Sequence, residues 1–145
     1  MTTVQYATFE VAGQLFGLEV GRVQEVLSFS EYTPVPLSPP HVGGLFNLRG
    51  QVIAALDLQV RLGLPPRDLT SGEAMNVIVR TEDESVSLLV DRIGDVVELD
   101  DSAAEPPPDT LSGPVRDLIT ATFPVDGRLL LALDARAAVR ADLAV

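Results

Sequence analysis

Residues 44–58 read Gly44-Leu45-Phe46-Asn47-Leu48-Arg49-Gly50-Gln51-Val52-Ile53-Ala54-Ala55-Leu56-Asp57-Leu58 and predict a hairpin with a polar corner. The apolar residues on both sides of the corner are typical of strands, and an Asn and a Gly within four residues are typical of a tight turn. The second strand stops at Asp57. Because rigid strands hold a turn residue in one place, Asn47 and Arg49 are the first candidates for a functional role.

The chain on either side of this stretch also consists of short elements. Residues 4–11 and 15–20 predict an opening hairpin, and residues 23–27 continue as a short apolar segment. Four prolines between residues 34 and 40 exclude a long helix or a central strand, and predict an extended loop. Residues 58–62 predict one short helix, which ends before a Gly-Leu-Pro-Pro run.

The sequence then repeats itself after a polar stretch at residues 65–74. Residues 75–80 and 86–90 predict another hairpin. An offset of 70 aligns Leu18, Val20, Arg22, Val23, Glu25 and Val26 with Leu88, Val90, Arg92, Ile93, Asp95 and Val96. An offset of 77 aligns Gly50, Ala55, Leu56 and Asp57 with Gly127, Ala132, Leu133 and Asp134.

Two aligned blocks in the same order indicate a tandem pair of small all-β units. Each unit has about five short strands and one helical turn, which favours closed or nearly closed barrels. We place the first unit at residues 1–70 and the second at residues 71–145, with an approximate boundary across which strands can exchange. The seam between two such units is a common place for a binding site.

Composition excludes several classes of function. The net charge is −11, from 21 acidic residues against 10 arginines, which argues against nucleic-acid binding and against adhesion to anionic lipid. No cysteine and a single histidine, His41, exclude thiolate and multi-histidine metal sites, and we expect no cofactor. The sequence contains neither a signal peptide nor an apolar run of membrane-spanning length. We therefore expect a soluble cytoplasmic protein with no direct membrane insertion.

Candidate catalytic groups each have a simpler explanation. Asp57 and Asp134 take equivalent places in the two copies, as the paired carboxylates of an aspartic protease do. In an aspartic protease each Asp is followed by Thr-Gly or Ser-Gly, whereas Leu-Gln follows Asp57 here and Ala-Arg follows Asp134. The alternative to a catalytic role is that each aspartate caps the helix that follows it. The sequence contains no Gly-x-Ser-x-Gly motif, so nothing in it marks a serine nucleophile that His41 could activate. The acidic runs at 82–84 and 100–101 lack the spacing of a calcium loop. We predict no enzymatic activity.

Glu25 and Arg49 are polar residues beside apolar segments, and the pattern leaves two interpretations open. Each side chain points into solvent, or the two help to form a recognition surface with Val23 and Val26 as apolar contacts. We hypothesise that Glu25 and Arg49 are in contact.

Four blocks in a fixed order carry a resemblance to a known family: residues 15–20 with 23–26, then 44–50, 90–96 and 126–129. Together they resemble the CheW family of bacterial chemotaxis coupling proteins, over residues 6–139. The resemblance implies two five-stranded SH3-like barrels with one or two short helices, in a single CheW-like domain. It also implies a non-enzymatic adaptor between the cytoplasmic tips of methyl-accepting chemoreceptors and a CheA-type histidine kinase, recruited to membrane-associated receptor arrays.

The resemblance also implies site residues. It links Val23, Glu25 and Val26 to receptor binding, and Gly44, Asn47 and Arg49 to receptor or kinase coupling. Gly43, Gln59 and Ala121 depart from the residues common in the family, which is compatible with a coupling protein of a non-flagellar array for gliding or pilus motility. An unrelated peptide-binding tandem-barrel scaffold is the remaining alternative.

Overall fold

The structure is a computed structural model that describes residues 2–28, 32–34, 36–37, 42–65, 67, 74–81, 85–109 and 114–139. In these ranges the chain forms the strands β1 (Thr3–Val11), β2 (Gln14–Glu19), β3 (Val23–Leu27), β4 (Val42–Leu48), β5 (Gln51–Asp57), β6 (Met75–Arg80), β7 (Ser85–Val90), β8 (Arg92–Asp100), β9 (Ile119–Val125) and β10 (Arg128–Leu133). The helices are α1 (Leu58–Arg61), α2 (Pro114–Leu118) and α3 (Ala135–Val139). Across the described ranges, none of these helices is long and apolar enough to span a bilayer.

The strands form two five-stranded sheets. The first sheet has the order β8-β1-β2-β10-β9, and the second has the order β3-β6-β7-β5-β4. In each sheet one pair is parallel, β2 with β10 and β5 with β7, and the other neighbours are antiparallel. The predicted all-β fold of two five-stranded units with short helices is confirmed.

The two sheets exchange strands between the sequence repeats. The first copy contains β1–β5 and the second contains β6–β10, yet β1 and β2 pair with β8–β10 while β6 and β7 pair with β3–β5. The chain passes from one sheet to the other at Val20–Arg22 and again at Asp91. Each sheet therefore combines strands from both sides of residue 70.

Strand register preserves the predicted repeat. Ala55 pairs with Ser87 in the second sheet, and their counterparts at the two offsets, Ala132 and Gly17, pair in the first sheet. The register of β3 against β6 shifts after Val23, and that of β8 against β1 shifts at the equivalent place. The two sheets therefore have equivalent strand pairing, including the positions of their bulges.

The inner strands are buried on both faces. The largest hydrophobic cluster lies between the sheets and takes side chains from both, among them Phe9 and Phe16 from the first and Val77 and Leu88 from the second. Smaller clusters fill the opposite faces, around Phe123 in the first sheet and, in the second, around Phe46 and its neighbours. Burial on both faces explains why the inner strands read as nearly continuous apolar runs.

Arg67 connects the two sheets through charged hydrogen bonds. Its side chain is 9% exposed and donates from Nε to Oδ1 of Asp57 at 3.0 Å and from Nη1 to Oδ1 of Asp91 at 2.6 Å. Asp57 ends β5 in the second sheet, whereas Oδ2 of Asp91 accepts the backbone N–H of Ala12 in the β1–β2 turn of the first sheet. Arg67, which follows α1 in the sequence, is thereby bound to both sheets.

Replacing Arg67 with alanine should lower the free energy of unfolding by about 3 kcal/mol, because it leaves the buried carboxylate of Asp57 without its charged partner. Denaturant unfolding measures the loss. The matched control is Arg128→Ala, since Arg128 is 45% exposed and pairs with Glu10 at 3.2 Å. We expect that variant to lose less than about 1 kcal/mol. Equal losses in the two variants would contradict the role assigned to Arg67.

Candidate functional site

The six predicted site residues lie on the two outer strands of the second sheet and in the turn after β4. Strand β3 carries three of them, and β4 with its turn carries the rest: Val23, Glu25 and Val26, then Gly44, Asn47 and Arg49. Residues far apart in the sequence are thus brought to the two outermost strands of one sheet. Their side chains differ in what they contact.

Arg49 and Glu25 form a bidentate ion pair. Nη1 of Arg49 lies 2.6 Å from Oε1 of Glu25, and Nη2 lies 2.7 Å from Oε2. The hypothesised contact is confirmed. The pair joins β3 to the β4–β5 turn, so it links the two outermost strands of the sheet. The side chain of Arg49 remains 68% exposed and that of Glu25 23% exposed, so the pair lies at the surface.

The turn geometry fixes the position of Arg49. Arg49 has φ 51° and Gly50 has φ 88°, the pair of left-handed residues that a two-residue hairpin turn requires. The backbone N–H of Gly50 donates to Oδ1 of Asn47 at 2.9 Å. Asn47 therefore stabilises, through its side chain, the turn that places Arg49.

The valines of β3 have different environments. Val26 is 46% exposed, whereas Val23 is partly buried and packs against the cluster between the sheets. A third valine was missed by the sequence reasoning: Val52 is 63% exposed and pairs with Asn47 across the hairpin. The signal was available, because strand alternation that buries Ile53 turns Val52 outward. We call Glu25, Val26, Arg49 and Val52 the outer-strand surface.

Gly44 is required for a close backbone contact. It has φ 153°, and a Cβ atom added to it would lie 2.9 Å from the carbonyl oxygen of Thr33 and 3.1 Å from Cβ of Tyr32. Thr33 and Leu45 exchange two backbone hydrogen bonds at this point, of 2.7 and 2.8 Å. Tyr32 is anchored beside them, since its hydroxyl donates to Oδ1 of Asn76 at 2.9 Å. Because Gly44 has no Cβ atom, residues 32–33 can pack directly against β4.

The second copy replaces the ion pair with two acids. Asp95 stands at the position of Glu25, and Asp126, which has φ 47° in its own hairpin turn, stands at the position of Arg49. Both side chains are exposed. The outer edges of the first sheet therefore present like charges where those of the second sheet are joined, and the two barrels differ in chemistry at equivalent places.

The alternative chemistries find no support in the geometry. Oδ1 of Asp57 accepts the N–H of Gln59 at 3.1 Å, and Oδ1 of Asp134 accepts that of Arg136 at 3.0 Å, so both aspartates cap helices as the simpler explanation predicted. Among the described residues, no three side chains of His, Cys, Asp or Glu are arranged to hold a metal ion. His41 and the acidic run at 82–84 lie outside the described residues.

The Gly44→Ala variant should be destabilised by about 1–3 kcal/mol, because the new methyl group displaces Thr33 and the backbone conformation is strained. Gly21→Ala is the matched control, since a Cβ there meets nothing within 4 Å. We expect that variant to stay within about 0.5 kcal/mol of the parent protein. Chemical denaturation of both gives the comparison, and a Gly44→Ala protein as stable as the control would refute the close-contact explanation.

The ion pair should also be visible in the titration of Glu25. Hydrogen bonds from the Arg49 guanidinium lower the pKa of Glu25, and the carboxylate raises the pKa of Arg49 in return. Because the pKa of Glu25 is lower in the folded state, its stabilising contribution is complete above the ordinary value for Glu and disappears as the pH falls through the lowered one. An NMR titration of the Glu25 carboxyl carbon measures this, and Arg49→Gln should restore the ordinary midpoint. An identical midpoint in both proteins would contradict the contact.

Comparison with known proteins agrees with this architecture. The family model of the CheW-like domain matches residues 5–142. The chain is 31% identical to the chemotaxis protein CheW of Bacillus subtilis over 129 residues, which cover 89% of this chain and 82% of that protein. It is 30% identical to CheW of Treponema pallidum over 112 residues, which cover 75% of this chain and 66% of the relative.

A solved structure shows the same fold. The crystal structure of the scaffolding protein TtCheW from Thermoanaerobacter tengcongensis superposes with a TM-score of 0.81 and 26% sequence identity, over 92% of this chain and 90% of that one. The matched region includes both sheets and the outer-strand surface. The chain therefore belongs to the CheW-like domain family.

Proposed function

We propose that the protein is a non-enzymatic adaptor that couples the cytoplasmic tips of transmembrane chemoreceptors to a CheA-type histidine kinase in chemotaxis signalling. Membership of the CheW-like domain family supports this proposal. The observation that carries it is the outer-strand surface, where exposed apolar side chains stand beside an oriented guanidinium. A surface of that kind is suited to recognising another protein and holds no catalytic groups.

Binding at the outer-strand surface would use two kinds of contact. Val26 and Val52 are large apolar side chains in solvent, and covering them stabilises a complex by about 25 cal/mol per Å² of apolar area. Arg49 uses one N–H on each terminal nitrogen to hold Glu25, and its other donors are left for a carboxylate or carbonyl of the partner. The apolar contacts would supply affinity, and the guanidinium would orient the partner.

The other predicted site residues would act through position. Val23 packs β3 onto the core, Asn47 shapes the turn, and Gly44 fixes residues 32–33 against β4. The adaptor would work in the cytoplasm at receptor arrays. Signalling would require only that receptor and kinase states favour different contacts with the same rigid surface, since no chemical step occurs on the adaptor.

The Arg49→Ala variant tests this proposal. We expect it to fold, because the pair is at the surface, but to bind a receptor cytoplasmic fragment or the kinase at least about fivefold more weakly. Size-exclusion chromatography and surface plasmon resonance with the receptor and kinase of the same organism provide the readout. Arg128→Ala is the control, since it removes another exposed arginine and its ion pair from the first sheet.

A charge-swapped variant shows whether Arg49 serves only to link the two strands or also recognises the partner. Glu25→Arg combined with Arg49→Glu can restore the link between the strands but reverses the charge presented to the partner. If recognition depends on the guanidinium of Arg49, the swapped protein should bind as weakly as Arg49→Ala. Parental affinity of Arg49→Ala for both partners would overturn the proposed role of this surface.

A further inference from the structure

The first sheet contains an open cavity of about 330 Å³ that the proposed function does not use. It lies where β2 and β10 end and α3 begins, and four charged side chains line it: Glu19, Arg22, Asp134 and Arg136. The outer-strand surface is on the second sheet, so the cavity is a separate feature of the molecule.

The repeat shows what the equivalent place in the second sheet holds. At the offsets that align the two copies, Asp134 corresponds to Asp57 and Glu19 corresponds to Leu89. In the second sheet, Arg67 lies against both residues, with Nε bound to Asp57 at 3.0 Å and Nη2 3.5 Å from the carbonyl oxygen of Leu89. The cavity is therefore the counterpart of a site that an arginine of the chain itself occupies.

The carboxylates of the cavity are available to a ligand. Asp134 uses Oδ1 to cap α3, as Asp57 caps α1, and its Oδ2 makes no hydrogen bond within the described part of the chain. Glu19 is exposed and, in the same part of the chain, its carboxylate is engaged by no hydrogen bond or ion pair. Glu19 also raises the pKa of Tyr6 after the larger effect of burial, which places its charge beside the phenol that lines the cavity.

The charged residues at the cavity differ from those of the occupied site. Asp91, the second carboxylate that holds Arg67, corresponds to Gly21, and Glu19 supplies a second carboxylate from the position of Leu89. Arg22 corresponds to Arg92, and Arg136 stands in place of Gln59. The two acids and two arginines that line the cavity therefore carry no net formal charge.

We propose that this cavity binds an arginine side chain of a partner protein. The carboxylates of Glu19 and Asp134 hold the guanidinium as Asp57 holds Arg67 in the second sheet. A planar guanidinium donates in several fixed directions at once, as Arg67 does to Asp57, Asp91 and Leu89, and an ammonium group lacks that geometry. The proposal adds a second point of attachment on the first sheet and does not depend on the function proposed for the outer-strand surface.

Titration with Nα-acetylarginine amide, followed by 1H–15N NMR, tests the proposal on the full chain. We expect saturable shifts at the backbone amides of Glu19, Gly21, Asp134 and Arg136. The isosteric but uncharged Nα-acetylcitrulline amide should produce none of them, and the lysine analogue should bind more weakly. Absence of shifts at these amides, or equal shifts with the citrulline compound, would overturn the proposal.

Matched variants locate the binding site. Glu19→Gln and Asp134→Asn should each raise the Kd about three- to fivefold, the effect of removing one exposed ionic contact. Asparagine is a good N-cap residue, so Asp134→Asn keeps the cap of α3. Asp126→Asn removes the same charge outside the cavity, at a left-handed position that asparagine tolerates, and should leave the Kd unchanged. Equal affinity in all three variants would contradict binding at the cavity.

Discussion

The apolar layer between the two sheets is the constraint on which the rest of the molecule depends. It is built from strands that also face the interior of their own barrel, so β1, β2, β6, β7 and β10 carry buried side chains on both faces. The sheets exchange strands, and the chain crosses from one sheet to the other at Val20–Arg22 and at Asp91. Neither copy of the repeat can form its barrel alone, since each barrel takes two strands from one copy and three from the other.

A scaffold built twice allows the two copies to diverge at equivalent surface positions without any change in the fold. The hairpin after β4 and the hairpin after β9 share a turn type and a register, yet one presents Arg49 and the other Asp126. Likewise, Asp57 and Asp134 both cap a helix, and Asp57 is in addition bound by the side chain of Arg67. Asp57 and Asp134 therefore share a structural role, whereas the difference between Arg49 and Asp126 marks a position at which the two copies present different chemistry.

Much of this could be predicted from the sequence, because hairpins and repeats leave local signals. Turn residues and apolar alternation gave β1, β2, β4–β7 and α1 nearly to the residue, and the two offsets identified the true structural equivalents. The exchange of strands between the two copies could not be predicted in the same way. A repeat shows which strands are equivalent, but it does not show whether a strand pairs within its own copy or with the other copy. Arg67 was missed for a related reason: its partners are 10 and 24 residues away, and nothing local marks it as buried.

The predicted site residues illustrate the same limit at the level of side chains. The sequence pattern showed that Val23 and Val26 are apolar and near Glu25, but not that Val26 is 46% exposed while Val23 packs against the core. Gly44 and Asn47 then prove to be parts of the support for Arg49 and β4, not contacts in themselves. A surface ion pair adds little to stability, so a rigid left-handed turn and a bidentate partner are poorly explained as stabilising devices. They are well explained as the means of holding one exposed guanidinium in a fixed orientation, which is what the proposed recognition of a partner protein requires.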